Sequence, residues 1–488
     1  MKLTKLLEGF EYKVLGGTCD CDVENVTIDS RKVSTNSLFI CLMGARFDGH
    51  DFIPEVIEKG ASVLVVSKPV KIDASHVTVI LVENTRYAGA FISAAWFGHP
   101  ADKLKVIGIT GTKGKTTTTY LVKSILENAG MKVGLIGTIE VIIGDVHIPA
   151  NNTTPEFFLL QEYFARMVKA GIDVVVMEVS SQALKLHRCQ GFIFDFGIFT
   201  NLEPDHIGPN EHESFEEYLQ CKSMLFKQCR IGLINGDDIH AKEIIKGHTC
   251  KIETFGMGEE CMLRAANPAL SDIPGQLGVK FMVEGKANFE VSVASPGRFS
   301  VYNALTAIAI CLHFDIAPEV IQKALTDVSV KGRIEMVKVP GDFTLLIDYA
   351  HNAMALKSLL STLREYHPKR LICLFGCGGN RSRDRRFEMG EVSGNMADLT
   401  IITSDNPRFE KPLDIMADIR TGVERTKGAY VEICERKEAI RYAIQNAQTG
   451  DIVVLAGKGH EDYQEIEGVK YPMDERVLIQ EVLRENQV

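Results

Sequence analysis

The chain has 488 residues, and 54 lysines and arginines against 64 aspartates and glutamates give it a formal net charge of −10. This acidic balance argues against a nucleic-acid-binding protein driven by a global basic field. Hydrophobic residues are 45% and charged residues 24%, as in ordinary globular proteins, which argues against disorder. No apolar run approaches the roughly 18 residues of a membrane span, and the N-terminus lacks a secretory pattern. We expect a cytosolic protein that binds neither membranes nor nucleic acids.

Apolar runs taken in chain order predict an α/β protein of three domains. Short β-branched runs between residues 26 and 83 predict a small N-terminal α/β domain over 1–100. From residue 105, strand-like runs alternate with helical segments such as 116–129 and 156–170, which predicts a central domain with a mostly parallel sheet over 101–331. The same alternation after Gly332 predicts a C-terminal, Rossmann-like α/β domain over 332–488.

The twelve cysteines are widely spaced, and the close pairs are Cys19 with Cys21 and Cys373 with Cys377. Neither pair is accompanied by a second Cys or His pair at the spacing of a zinc site. We therefore predict free thiols rather than disulfides or metal ligands.

The strongest local signal is VIGITGTKGKTTTT, in which an apolar strand runs into three glycines between residues 108 and 114 and then into a helix. Such a loop turns its N–H groups toward phosphates, Lys115 reaches the terminal phosphates, and the Thr116 hydroxyl can bind Mg²⁺. The pattern predicts a nucleoside triphosphate site, although the strict form needs glycine where this chain has Ile109. The alternative is a glycine-rich turn with an incidental lysine.

Two further features bear on the kind of enzyme. An ordinary P-loop kinase or GTPase needs an Asp after a second apolar strand, whereas DVVVMEVSS supplies Glu178. In SFEEYLQCKSMLF, Lys222 falls on the apolar helical stripe that also contains Tyr218 and Leu225. Such a lysine either snorkels to solvent, pairs with a carboxylate, has a lowered pKa, or is converted by CO₂ into a carbamate. Spacing alone favours the snorkelling interpretation.

The set of motifs resembles the Mur ligases, ATP-dependent amino-acid ligases that build the peptidoglycan stem peptide. The similarity runs from DSR at 29–31 to GKGHEDY at 457–463 and is strongest to the branch that adds meso-2,6-diaminopimelate to UDP-N-acetylmuramoyl-L-alanyl-D-glutamate. Singly, each motif has a simpler interpretation, such as a polar turn, a helix cap or a core histidine, so their joint order carries the resemblance. The motifs are GxxGTxGKT, NTTP, MEVSSQAL, TNLEPDH, DYAHN, FGCGGNRSRDRR, DNPR and AGKGHEDY.

The resemblance implies roles for particular residues. ATP is expected at Gly111, Thr112, Lys113, Gly114, Lys115, Thr116, Thr117, Asn303, Arg333, Asp348 and His351. Catalytic roles are expected for Lys115, Lys222, His206 and Glu178. A Mg²⁺ shell is expected at Thr116, Glu178 and His206, and a carbamylated Lys222, in place of the snorkelling interpretation, is expected to hold a second Mg²⁺. The muramoyl dipeptide and its uridine nucleotide are expected at Ser30, Ala45, Arg46, Phe47, Asn152, Thr153, Thr154, Ser180 and Arg188.

The amino-acid substrate is expected beyond the strand ends of the C-terminal domain, where open parallel sheets bind ligands. An arginine fork after such a strand suits a carboxylate, and a neighbouring Asp and Asn suit an amine and carboxylate pair. The resemblance associates DNPR with meso-diaminopimelate and its distal carboxylate with Arg408. The expected residues are Arg381, Asp405, Asn406, Pro407, Arg408, Gly457 and Glu461.

The resemblance implies an acyl-phosphate mechanism in a protein that we expect to be a monomer. The segment from His206 to Lys222 departs from the family's usual DYHG form and is about two residues longer, which leaves His212 as a hypothetical substitute near Lys222. Gln182 likewise stands where relatives commonly have His. The alternatives are a lysine-adding relative, a folylpolyglutamate synthase, a P-loop kinase or GTPase, and a catalytically silent nucleotide-binding scaffold.

Overall fold

The computed structural model describes residues 1–44, 47–72, 76–208, 211–273 and 276–485, so the predicted site residues Ala45 and Arg46 lie outside the described residues. The chain divides into two compact units, residues 1–264 with 305–320, and residues 265–304 with 321–488. The three domain boundaries expected from the sequence stay a prediction.

The first unit begins with a five-stranded sheet in the order β1-β5-β4-β3-β2, in which β2 to β5 run parallel and β1 is antiparallel to β5. Alternate residues of the parallel strands face helix α3, and together they form an apolar core with α1. The strands are β1 (Lys13–Gly16), β2 (Asn25–Thr27), β3 (Ser37–Ile40), β4 (Ala61–Val66) and β5 (Thr78–Leu81), and the helices are α1 (Leu3–Leu6), α2 (Ile53–Glu58) and α3 (Thr85–Trp96).

The rest of the first unit is built on a second, mostly parallel sheet. Its strands and helices alternate as the sequence predicts, since the predicted helices 116–129 and 156–170 are observed within one residue of their expected bounds. The strands are β6 (Lys105–Thr110), β7 (Val133–Ile136), β8 (Glu140–Ile143), β9 (Val146–Pro149), β10 (Val174–Glu178), β11 (Phe194–Phe199), β12 (Cys229–Asn235) and β13 (Lys251–Gly256). The helices are α4 (Lys115–Asn128), α5 (Phe157–Lys169), α6 (Ser181–Lys185), α7 (Phe215–Ser223) and α8 (Ala241–Ile244).

Strand β6 lies between β10 and β11, and all three are parallel. In this register Ile109 is opposite Glu178, and Thr110 is opposite Phe199. The carboxyl ends of the three strands therefore meet at one sheet edge, which is where ligands of parallel sheets bind. This edge places the phosphate loop, Glu178 and the loop after Phe199 next to one another.

The second unit contains a six-stranded sheet in the order β17-β18-β22-β19-β20-β21, parallel except for β17. Alternate residues of its strands enter two different cores: Leu346 packs with α11 to α13, and Leu345 packs with α14 and α15. The strands are β17 (Glu335–Val337), β18 (Thr344–Asp348), β19 (Leu371–Phe375), β20 (Leu399–Ile402), β21 (Tyr430–Glu432) and β22 (Ile452–Ala456). The helices are α11 (Ala353–Arg364), α12 (Asp384–Met396), α13 (Pro412–Glu424), α14 (Arg436–Asn446) and α15 (Glu475–Glu485).

Five strands and two helices remain among the described residues. The strands are β14 (Leu263–Ile273), β15 (Gln276–Gly285) and β16 (Phe289–Val293) before the six-stranded sheet, and β23 (Tyr463–Ile466) and β24 (Val469–Pro472), an antiparallel hairpin after it. Helices α9 (Arg298–Cys311) and α10 (Pro318–Asp327) connect β16 to β17.

The predicted α/β fold class is confirmed, with helices on both faces of the C-terminal sheet as in Rossmann-like folds. All twelve cysteines are free thiols, as predicted. Among the described residues, no helix combines the length and the apolar character that crossing a membrane requires.

Candidate active site

The phosphate loop, residues 111–114, connects β6 to α4 and depends on its glycines. Gly111 and Gly114 have φ of 151° and 86°, a backbone region that residues with a Cβ rarely adopt. A Cβ on Gly111 would lie 1.9 Å from the Thr200 hydroxyl oxygen, so glycine is also needed for space. Lys115 begins α4 and donates from Nζ to the carbonyl oxygens of Gly111 at 2.8 Å and Thr112 at 3.0 Å. The loop thus folds around its own lysine.

The segment after β11 supports this loop from the side. The Thr200 hydroxyl donates to the Lys113 carbonyl at 2.8 Å, and the Lys113 N–H donates to Asn201 Oδ1 at 2.8 Å. The Lys113 ammonium pairs with Glu203 at 2.6 Å. The TNLE motif therefore holds the phosphate loop, and the charge of Lys113, which was expected to bind ATP, is engaged by a carboxylate.

Glu178 is buried at the end of β10 and accepts three hydrogen bonds. The Thr116 hydroxyl donates to Oε1 at 3.0 Å, the Thr138 N–H donates to Oε1 at 2.8 Å, and the Thr138 hydroxyl donates to Oε2 at 3.0 Å. Two residues that were expected to bind Mg²⁺, Thr116 and Glu178, are thus in direct contact. Sequence reasoning missed Thr138, because its only signal was a threonine after the strand β7.

Lys222 is 1% exposed on α7, so the snorkelling interpretation is wrong. Its Nζ donates to the Gly111 carbonyl at 2.9 Å and lies 4.4 Å from the centre of the Tyr218 ring. Burial lowers the pKa of Lys222 well below its ordinary value of 10.5, and the neighbouring charge of Lys115 lowers it further. Both effects shift Lys222 toward the neutral amine, which is the nucleophilic form.

Tyr218 connects α7 to the same loop through its hydroxyl, which lies 3.0 Å from Thr112 Oγ1. Its side chain is buried, and this burial raises the pKa of the phenol, so that it stays protonated. The apolar stripe predicted that Tyr218 would be buried, but the stripe gave no sign of this polar contact.

The two histidines of the atypical segment lie in different surroundings. His206 has φ of 54°, is about half exposed, and its side chain contacts Asp205 and Glu211. His212 is 1% exposed, and its Nε2 lies 2.8 Å from the Ser181 hydroxyl. Burial lowers the pKa of His212. The hydrogen bonds described for His206 join it to the loop rather than to Glu178 or Lys222.

Residues expected to hold the muramoyl dipeptide gather beside Glu178. The Thr154 hydroxyl donates to the Glu178 carbonyl at 2.9 Å and accepts from the Ser180 N–H at 3.1 Å. Arg188 donates to the Thr154 carbonyl at 3.0 Å, and the Thr153 hydroxyl lies 3.1 Å from that of Thr138. Ser180 also caps α6, as its simpler interpretation predicted, while Asn152 is exposed.

The residues expected to hold the uridine nucleotide lie on two loops of the N-terminal sheet. Ser30 begins a short 3₁₀ turn that Asp29 caps, and its carbonyl accepts from Lys59 at 3.2 Å. Phe47 is 72% exposed.

In the second unit, the remaining residues expected at the nucleotide surround the end of β18. The Arg333 guanidinium lies 4.9 Å from the centre of the Tyr349 ring, and the His351 ring packs on the same tyrosine at 4.6 Å. Asp348 accepts from the backbone N–H groups of residues 334 and 350, and burial raises its pKa. Asn303 lies apart in sequence, on α9.

The expected amino-acid site is centred on a lysine that sequence reasoning missed. Lys458 is fully buried, and its Nζ donates to Asn406 Oδ1 and to Glu461 Oε2, each at 3.0 Å. Asn406 Nδ2 also donates to Glu461 at 2.8 Å. Lys458 Nζ lies 3.8 Å from Asp405. The only signal for this role was a lysine directly after a buried strand.

Arg408 lies between the hairpin β23–β24 and the glycine turn after β19. Its Nε donates to Glu465 at 3.0 Å, and its Nη1 donates to the Gly379 carbonyl at 2.7 Å. Arg381 is exposed on the same glycine turn. Gly457 has φ of 102°, and a Cβ there would lie 3.2 Å from Asp405. Residues from three strand ends are thus brought together, and Pro407 is buried among them.

Family models match most of the chain. The Mur ligase family catalytic domain matches residues 22–97, the Mur ligase middle domain residues 109–311, and the Mur ligase glutamate ligase domain residues 332–459.

Two relatives and two solved structures illustrate the similarity. The UDP-N-acetylmuramoyl-L-alanyl-D-glutamate--2,6-diaminopimelate ligase of Caldanaerobacter subterraneus subsp. tengcongensis is 44% identical over 100% of both chains. The ligase of the same name from Clostridium tetani is 42% identical over 99% of this chain and 100% of its own. A solved ligase of this name is 27% identical, with a TM-score of 0.74 over 100% of this chain and 99% of its own.

Folylpolyglutamate synthase of Mycobacterium tuberculosis shares the fold alone, with 15% identity and a TM-score of 0.58 over 76% of this chain and 92% of its own. By its full-length relatives and the three matched family domains, the chain belongs to the Mur ligase family.

Proposed function

We propose that this chain is an ATP-dependent ligase that joins meso-2,6-diaminopimelate to UDP-N-acetylmuramoyl-L-alanyl-D-glutamate in peptidoglycan precursor synthesis. The observation that carries the proposal is the buried Lys222 against the Gly111 carbonyl of the phosphate loop. An ordinary kinase or a silent scaffold gives no reason for this costly burial. The names of relatives at 42–44% identity support the choice of substrates.

In the proposed first step, the D-glutamyl γ-carboxylate attacks the γ-phosphorus of ATP, which gives an acyl phosphate and ADP. Two polyanions must approach each other, so the step depends on charge neutralisation and alignment. Lys115 leaves the loop carbonyls for the phosphates, and the N–H groups of residues 111–117 hold them. Thr154, Ser180 and Arg188 are proposed to position the dipeptide beside Glu178.

One Mg²⁺ is proposed at Thr116, Glu178 and His206, and a second at carbamylated Lys222. The Thr116 hydroxyl and the Glu178 carboxylate fit this assignment, because they already meet at 3.0 Å and are the oxygen ligands that Mg²⁺ prefers. The lowered pKa of Lys222 fits an amine that could be converted into the carbamate, whose oxygens would hold the second ion. When bound, the ion supplies positive charge that offsets the phosphate charges.

In the second step, an amine of diaminopimelate attacks the acyl carbon, and phosphate leaves through a tetrahedral intermediate. Residues 332–488 are proposed to hold this amino acid. Asn406, Glu461 and Asp405 would orient one amine and carboxylate pair, while Arg408 and Arg381 would bind the carboxylates.

Residues 1–100 are proposed to bind the uridine nucleotide through Ser30 and Phe47, and residues 101–331 to bind ATP.

The second candidate is a lysine-adding ligase of the same family. L-Lysine lacks the distal carboxylate that Arg408 is proposed to bind in addition to its pairing with Glu465. The arginine beside Gly379 and Glu465 therefore favours diaminopimelate.

The test is ADP release by the purified chain with ATP, Mg²⁺ and the UDP-linked dipeptide, with meso-diaminopimelate, L-lysine or L-glutamate as acceptor. We expect turnover with diaminopimelate, and a product whose mass equals the two joined substrates minus water. Turnover with lysine alone would contradict the substrate assignment. ADP release with none of the acceptors above a heat-inactivated control would contradict the proposed function.

A further inference from the structure

His212, Glu217 and Cys221 bring three different metal-binding atoms together in the first unit. The imidazole nitrogen, carboxylate oxygen and thiol sulfur all lie within 4.8 Å of one another. Glu217 and Cys221 are four residues apart on α7 and so lie on one helix face. His212 reaches the same point from the loop before the helix. None of the three belongs to the phosphate-loop contacts described above.

The histidine is oriented as a metal ligand would be. Its side chain is 1% exposed, and its Nδ1 is a buried atom without a hydrogen-bond partner among the described residues. This nitrogen lies 3.5 Å from Glu217 Oε2. The other ring nitrogen, Nε2, lies 2.8 Å from the Ser181 hydroxyl. Histidine ligands usually donate from the second nitrogen to such a group, which leaves the first lone pair for the metal.

We propose that His212, Glu217 and Cys221 form a binding site for a thiophilic divalent cation, Zn²⁺ in the first instance, separate from the Mg²⁺ site proposed at Glu178. Nitrogen, oxygen and sulfur ligands together suit zinc, whereas Mg²⁺ prefers oxygen alone. Around a tetrahedral zinc ion, ligand atoms are about 3.3–3.6 Å apart. The 3.5 Å between His212 and Glu217 already has this spacing.

The contacts of Glu217 are compatible with an ion. Glu217 Oε1 pairs with Lys185 at 2.8 Å, and Oε2 accepts from the Glu213 N–H at 2.8 Å. A carboxylate oxygen has two lone pairs, so Oε2 can keep that hydrogen bond and bind the ion. The Cys221 thiol would release its proton to solvent on binding. The fourth position would hold water, as in other three-ligand zinc sites.

The proposed ion would tie the loop that carries His212 to α7. Cys221 directly precedes Lys222 in the chain, so the ion would also hold in place the helical turn from which Lys222 reaches the phosphate loop. Its predicted effect is on the stability of this loop and helix, and it takes no part in the proposed transfer steps.

Cobalt is the spectroscopic probe for the test. The full-length chain is stripped with a chelator, returned to buffer with millimolar Mg²⁺ to fill oxygen-ligand sites, and titrated with Co²⁺. We expect one equivalent to bind, with the near-ultraviolet charge-transfer absorption of a cobalt-bound thiolate and the strong visible bands of tetrahedral cobalt. Added Zn²⁺ should abolish both and raise the melting temperature.

Variants decide whether the three residues are the ligands. Cys221→Ser should abolish the thiolate band, whereas Cys261→Ser, at a half-buried thiol elsewhere in the first unit, should leave it unchanged. Absence of a thiolate band in the wild type, or its persistence in Cys221→Ser, would overturn the proposal. Should Cys221→Ser fail to fold, Glu217→Gln replaces it: at least tenfold weaker Co²⁺ binding supports the site, and unchanged affinity overturns it. These readouts do not depend on ligase activity.

Discussion

The Lys222 side-chain nitrogen and the Gly111 carbonyl oxygen, 111 positions apart in the chain, form a hydrogen bond of 2.9 Å. The same carbonyl accepts from Lys115 at 2.8 Å. The loop carbonyl would therefore keep a partner without Lys222, so the loop does not need this lysine in order to fold. A buried lysine that the fold does not need points to a role in chemistry.

Lys222→Met should separate stability from activity. Methionine fills a similar volume without an amine to bury, so we expect the free energy of unfolding to rise by about 1–3 kcal/mol. Ligase turnover should fall at least about a hundredfold, or roughly 2.7 kcal/mol in the activation barrier. Urea unfolding and ADP release measure the two effects. Lys227→Met, at an exposed lysine that follows α7, is the control and should change neither. Wild-type turnover in Lys222→Met would contradict the catalytic role.

The pH dependence of stability tests the state of the Lys222 amine. Because the folded pKa lies well below 10.5, the unfolded chain binds one more proton at this lysine between the two pKa values. Stability should therefore rise with pH in this window, by up to about 1.4 kcal/mol per unit from this group. Below the folded pKa the contribution is flat. Urea unfolding from about pH 7 to about pH 9 in CO₂-free buffer should show a steeper rise for wild type than for Lys222→Met. If stability rose equally with pH in wild type and Lys222→Met, Lys222 would have an ordinary lysine pKa.

Glu178→Gln tests the carboxylate at the end of β10. The side-chain oxygen of glutamine can still accept from the Thr138 N–H. Its NH₂ group, however, takes the place of the carboxylate oxygen that now accepts from the Thr138 hydroxyl. We expect kcat to fall about 100- to 1,000-fold, because an anionic oxygen ligand for the proposed Mg²⁺ is lost. The melting temperature should change by only a few degrees. Glu253→Gln, at a buried carboxylate paired with His313, is the matched control and should keep its activity. Equal activity of the two variants would remove Glu178 from the proposed metal shell.

The features that the sequence predicts best are those determined by residues close to one another in the chain. Apolar runs such as KVIGIT form parallel strands because burial on both faces requires continuous apolar residues. The glycines and lysine of the phosphate loop follow from backbone geometry that few residues adopt. The apolar stripe on α7 likewise predicted the burial of Tyr218, whereas for Lys222 the same spacing favoured the snorkelling interpretation.

Contacts between distant segments were beyond sequence reasoning. The hydroxyls of Thr112 and Tyr218 meet because the loop after β6 and helix α7 come together at one sheet edge. No single sequence motif contains both residues. Lys458 was passed over because a lysine after a strand is usually solvated. Three acceptors converge on it: Asn406 from a distant segment, and Glu461 and the Tyr463 carbonyl from the loop that follows it. The partners of a polar side chain are a property of tertiary packing.

Arg408→Lys tests the expected selectivity for diaminopimelate. Nε and Nη1 of Arg408 are held by Glu465 and the Gly379 carbonyl, which fixes the plane of the guanidinium. Lysine keeps the positive charge but cannot form the two parallel hydrogen bonds of a guanidinium to a carboxylate. We expect kcat/KM for meso-diaminopimelate to fall about 10- to 100-fold, mainly through KM, while the KM for ATP stays the same.

The control for this change is Arg420→Lys, at a surface arginine on α13 that pairs with Glu432. It should leave both KM values unchanged, because exposed ion pairs contribute little. Steady-state rates with diaminopimelate and L-lysine in the same assay give the selectivity directly. If Arg408 recognises the distal carboxylate, the ratio of the two kcat/KM values must shift toward L-lysine. A loss of equal size for both acceptors would assign Arg408 to the hydrogen bonds that hold the glycine turn and the hairpin together.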